Sequence, residues 1–166
     1  MLDVRATVES HLGSRQVAKV VYGSIVGLAL VVALQSHPPS AGAMIGWLVG
    51  TGVAVGLAEL YSEIVGEETN TRRRVTRARL RHFTEDAAVV FVGIAFPAVF
   101  FLFPLAGIGS VAAAFTVAKW SGLGLVACYA FWAARRAGAP VHRAALYAVL
   151  IASVDAVLIT IKAFLH

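Results

Sequence analysis

An all-α polytopic membrane bundle of five transmembrane helices is the fold class that this sequence predicts. Three observations predict it. Mean hydropathy is +0.80, and 59% of the 166 residues are hydrophobic. Only 14% are charged, against about 25% in soluble globular domains. The apolar residues gather into five runs, each long enough for a hydrocarbon core of about 30 Å. Residues 1–166 are therefore read as a single membrane domain with no sizeable soluble part.

The first 16 residues, MLDVRATVESHLGSRQ, mix polar and apolar side chains. They lack the basic start, apolar core and small-residue cleavage site of a secretory signal. The first apolar run is thus expected to be a retained helix. It covers about 17–34 and stops at QSHPPS, where Pro38 and Pro39 cannot continue a helix and Ser40 can cap the next one. The second span covers about 41–65. A basic loop is expected over 66–86, GEETNTRRRVTRARLRHFTED. There Val75, Ala78 and Leu80 alternate with arginines and suggest a short helix lying on the membrane. The third span covers about 87–105, and Pro97 and Pro104 predict a kink in it. The turn AGIGS leads to a fourth span, about 110–132, and ARRAGAPVHR leads to a fifth, about 144–165.

Lysine and arginine set the direction. Arg5, Arg15 and Lys19 flank the first span. Arg72, Arg73, Arg74, Arg77, Arg79 and Arg81 lie between spans two and three, and Arg135, Arg136 and Arg143 between four and five. The other two connections have neither residue type. With five spans these basic regions share one side. The expectation is a multi-pass protein of the cell (cytoplasmic) membrane, N-terminus in the cytoplasm and C-terminus outside. The basic loop suits a bilayer with anionic head groups, at about 1 kcal/mol per basic residue near the surface. No aromatic residues are interleaved with the arginines and no binding module is present, so nucleic acid is not an expected partner.

Glycines recur at four-residue spacing. Gly23 and Gly27 mark one face of span one. Gly42, Gly46 and Gly50 mark a face of span two, and Gly52 and Gly56 an adjacent one. Small residues at this spacing let helix backbones approach closely. The expected use is packing of span one on span two, with the second face free for a homodimer.

Two ionisable residues fall within spans, Lys119 in FTVAKWSG and Asp155 in IASVDAVLI. An unpaired charge at the bilayer centre costs at least about 2.5–3.5 kcal/mol. Counted along antiparallel spans, the two lie roughly 13 and 15 Å from the outer face. An intramembrane ion pair between Lys119 and Asp155 is therefore expected; snorkelling of Lys119 outwards is the alternative.

In GLAELYSEIVGEE, Glu59, Glu63 and Glu67 lie along one helical face near the cytoplasmic end of span two. They can act as counter-charge for the nearby arginines. They can also form a cation entrance, with Glu59 and Glu63 as candidate metal ligands, since carboxylates suit hard or borderline divalent cations. No Ser/His/Asp or Cys/His set is present. The histidines all fall outside span centres, unlike haem ligands, and Cys128 is the single cysteine. Neither an enzyme nor a cofactor is expected.

Two resemblances add to this reading. VVYGSIVGLALVVAL, GLAELYSEIVG and LITIKAFLH resemble a group of short actinobacterial integral membrane proteins without an assigned activity. VYGSIVG and ELYSE resemble, more weakly, the first- and second-span patterns V-Y-G-A-N-D-G and Glu-Tyr-x-Ser of the vacuolar-iron-transporter (VIT/CCC1) family. That resemblance implies five spans, a cytoplasmic N-terminus and a charged segment between spans two and three. In this chain Ile25 and Val26 replace the family's Asn-Asp pair, Leu60 separates Glu59 from Tyr61, and the metal-binding segment is reduced to a short arginine-rich stretch. The functional expectation is a small cation transporter, for a divalent metal or proton-coupled, on a VIT-like scaffold. The alternative is a non-catalytic membrane subunit or scaffold beside a larger complex.

Overall fold

A computed structural model describes the backbone over residues 14–164, and side chains over 16–151 together with Ser153 and Val157. All regular structure among these residues is helical. The helices are α1 (Ser14–Leu34), α2 (Ala41–Thr71), α3 (Arg77–Ala95), α4 (Ala98–Leu105), α5 (Val111–Arg136) and α6 (Val141–Phe164). Three of them, α1, α2 and α5, are long and apolar enough to cross a membrane, and the bent pair α3–α4 makes up to four such spans.

The boundaries have local causes. Ser40 caps α2 by accepting a hydrogen bond from the Ala43 N–H at 3.3 Å. Ser110 does the same for α5, accepting from the Ala113 N–H at 3.2 Å. Pro97 has no N–H and interrupts the ladder between α3 and α4, where the axis bends by 47°. Just beyond it, Val99 and Phe100 donate to the Phe96 and Pro97 carbonyls at 3.2 Å, a tighter winding that turns the chain. Pro104 sits inside the last turn of α4, so the kink belongs to Pro97.

The segment expected as a loop over 66–86 is mostly helix. At about 1.5 Å per residue the 31-residue α2 spans about 46 Å, more than a bilayer core needs. It ends only at Arg72, whose φ of 54° is left-handed and whose N–H returns to the Glu68 carbonyl. Thr76 then caps α3 by accepting from the Arg79 N–H at 3.4 Å. Of the surface helix expected around Val75, Ala78 and Leu80, the last two lie in the first part of α3, while Val75 precedes its cap. Glutamate and arginine are good helix formers. Their arrival marks where the apolar run ends, not where the helix ends.

Packing differs from expectation too. α3 lies between α1 and α2, and those two scarcely touch each other. The α1 glycines meet α3. A Cβ on Gly23 would stand 2.5 Å from the Val90 carbonyl oxygen, and one on Gly27 would stand 2.7 Å from that of Ile94. Gly93 answers from α3, where a Cβ would stand 2.9 Å from the Ser24 nitrogen. α1 and α3 therefore run parallel and in step, a four-residue advance on one matching four on the other. Gly52 and Gly56 face Phe91 and Ala87 on the other side of α3. Gly46 and Gly50 have nothing within 4 Å, and Gly42 has only a Leu105 methyl at 3.7 Å. Expected packing of span one on span two is corrected accordingly: both deliver glycine faces to span three.

The end of α1, the start of α2, α4 and the start of α5 enclose an apolar core of Val31, Met44, Leu48, Phe101, Phe115 and Ala118, all essentially without solvent contact. Phe101 and Phe115 meet edge to face at 4.9 Å. This end of the bundle is dominated by apolar side chains. Most of the charges lie at the opposite end.

Candidate functional site

α1 places Lys19 on the same face as Gly23 and Gly27, four residues apart each, so the face that packs on α3 begins with an ammonium. Close approach of α1 to α3 brings that ammonium to Asp86, with Lys19 Nζ donating to Asp86 Oδ2 at 2.9 Å. On α2, Glu59 and Glu63 lie one turn apart and converge on the same nitrogen. Glu63 Oε1 accepts from it at 2.8 Å, and Glu59 Oε1 stands at 3.0 Å. Three helices are thus tied together through one lysine.

The cluster is enclosed. Side-chain exposure is 12% for Lys19 and 1% for Asp86, while Glu59 and Glu63 retain about a quarter. Its formal charges do not balance, since three carboxylates face one ammonium. No other cation among the described residues reaches these carboxylates. Asp86 Oδ1 is buried without a hydrogen-bond partner, as is Ser24 Oγ further along α1. A buried acceptor left unsatisfied costs about 1–3 kcal/mol, more for a charged group.

Glu67, the third member of the acidic stripe, turns elsewhere and pairs with Arg79 at 3.3 Å. Arg81 pairs with Glu85 at 3.1 Å along α3. Glu59 and Glu63, the candidate metal ligands, close on Lys19 instead. Among the described residues no group of three or more His, Cys, Asp or Glu is arranged to hold a metal ion.

Lys119 stands apart from this cluster. Its Nζ donates to Gln35 Oε1 at 3.4 Å, at the far end of α1. That places the ammonium beside a neutral amide on an exposed part of the bundle. Asp155 lies on α6, which packs beside α5, but its side chain is outside the described residues. Cys128 is exposed on the bundle surface.

Sequence reasoning missed Lys19 and Asp86, counting the first as a topological charge and the second as part of a loop. A signal was present, because Lys19 continues the four-residue spacing of Gly23 and Gly27. A charge on a close-packing glycine face must meet a partner on the opposing helix.

No family profile, curated protein or solved structure matches the chain. The fold and site define its class by themselves. Its helices long and apolar enough to cross a membrane suggest a membrane protein, with a lysine-centred carboxylate cluster at one end of the bundle and an apolar core at the other.

Proposed function

We propose that the protein carries small cations across the cytoplasmic membrane, as five spans on a VIT-like scaffold with the N-terminus inside and the C-terminus outside. The observation that carries this reading is the excess of carboxylate in the Lys19–Glu59–Glu63–Asp86 cluster. Charged groups near the lipid boundary are costly unless they are paired or used, and among the described residues three acids share one base. The apolar core of Val31, Met44, Leu48, Phe101 and Phe115 argues for a carrier that must change conformation, not an open pore. The bend at Pro97 supplies a place for that change. α6, helical to Phe164, provides the fifth span, and the exposed arginines from Arg72 to Arg81 suit anionic head groups on the inner face. The test is ion flux into proteoliposomes holding the purified protein, with divalent metals, monovalent cations and protons offered in turn. Flux of none of them by folded protein would remove this reading.

A second reading is a non-catalytic membrane subunit. It is favoured by the outward face of Gly46 and Gly50, where no described residue lies within 4 Å, and which suits a closely packed helix of a second copy or another protein. Crosslinking through cysteines placed at Gly46 would reveal such a neighbour.

A further inference from the structure

The carboxylate cluster has a geometry that names a class of cation. Three oxygens, Glu59 Oε1, Glu63 Oε1 and Asp86 Oδ2, stand 3.0, 2.8 and 2.9 Å from one nitrogen. An alkylammonium has three N–H donors and no acceptor, and these separations are those of charge-assisted N–H···O bonds. Mg²⁺ needs oxygens at about 2.0–2.1 Å and Ca²⁺ at about 2.3–2.6 Å, so the cage as built is wide for either. Among the described residues it is also short of both donors and positive charge. Asp86, 99% buried by its 1% exposure, keeps Oδ1 without a partner, and the three acids outnumber the single ammonium. Lys19 fills the cage from the end of a flexible four-carbon stem near the helix terminus, so it can withdraw towards the head groups without unwinding α1.

We propose that Glu59, Glu63 and Asp86 form a binding site for small N–H-bearing monovalent cations, ammonium or a primary alkylammonium, with the Lys19 side chain as its tethered resident. Free cation and Lys19 compete for the same oxygens. This rests on reading the cluster as a cation site, and it names the class of ligand taken there.

The test is chemical replacement of the lysine. Lys19→Ala is purified in detergent and its melting temperature followed at constant pH and ionic strength. Methylammonium, ammonium, tetramethylammonium and sodium, all as chlorides, are the probes. Lys19→Ala is expected to melt below the unmodified protein. Methylammonium is expected to recover most of the loss in a saturable way, ammonium part of it, and tetramethylammonium and sodium none. Lys19→Ala/Asp86→Asn is expected to need at least tenfold more methylammonium for the same shift. Equal shifts with tetramethylammonium would mean charge screening alone and overturn the proposal, as would folded Lys19→Ala that ignores methylammonium. If Lys19→Ala folds only when methylammonium is present throughout purification, the proposal stands. If it fails to fold even then, while Lys19→Ala/Asp86→Asn folds, the proposal is overturned. Amine recovery in a protein that shows no flux would remove transport alone, and flux without amine recovery would remove the ammonium site alone.

Discussion

Lys19 Nζ lies 2.9 Å from Asp86 Oδ2, joining two parallel helices at the level where their glycine contact begins. Breaking a buried ion pair by removing one partner costs about 3–5 kcal/mol, because the other charge stays uncompensated. Lys19→Met should therefore lower the melting temperature in detergent sharply. Lys19→Met/Asp86→Leu should regain part of the loss, since it removes the stranded charge as well. Strictly additive losses in thermal unfolding would show that the two side chains do not interact.

The glycine faces make a contrasting pair. At Gly23 a Cβ would collide with the Val90 backbone oxygen, which cannot swing aside. Gly23→Ala should cost about 1–3 kcal/mol, the usual range for overpacking. At Gly46 nothing lies within 4 Å, and alanine is the better helix former by about 1 kcal/mol. Gly46→Ala should leave the monomer as stable or slightly more so. Thermal unfolding of the two variants side by side checks this, and a large loss at Gly46 would reveal a neighbour on that face.

Lys119 reaches a neutral amide at 3.4 Å on an exposed part of the chain. Lys119→Met should then change stability by less than about 1 kcal/mol, as for a modest hydrogen bond. A double-mutant cycle with Asp155→Leu decides between this geometry and the ion pair read from sequence. Coupling well above about 1 kcal/mol would restore the pair.

The helical state of the apolar runs follows from run length and hydropathy, and proline and serine mark the connections near their observed places. Helix ends at the charged side were not legible. The residues from Gly66 to Thr71 and from Arg77 to Asp86 are too polar for lipid yet favour helix, so composition alone reads them as loop. Which glycine face meets which helix was also hidden. Spacing shows that a face is small, but only the fold places α3 between α1 and α2. Asp86 was obscured for both reasons at once.

Orientation is open to labelling. In a Cys128→Ser background, a cysteine at Ser40 should react with an impermeant thiol reagent added to intact cells, and one at Thr76 should not, if the arginine-rich end lies inside as we propose. Both positions are exposed on the protein surface. Reaction at Thr76 from outside would invert the assignment.

Cation flux through Asp86→Asn tests the account most directly. The substitution keeps the shape of the side chain and removes the buried charge on which the cluster turns. Purified protein is reconstituted in vesicles, and uptake is measured for the cation that the unmodified protein moves best. Folded Asp86→Asn, and likewise Glu59→Gln, should lose at least about tenfold in rate, equivalent to about 1.4 kcal/mol in the barrier. Uptake by both variants at the unmodified rate, with normal folding, would contradict a cation path through the Lys19 cluster.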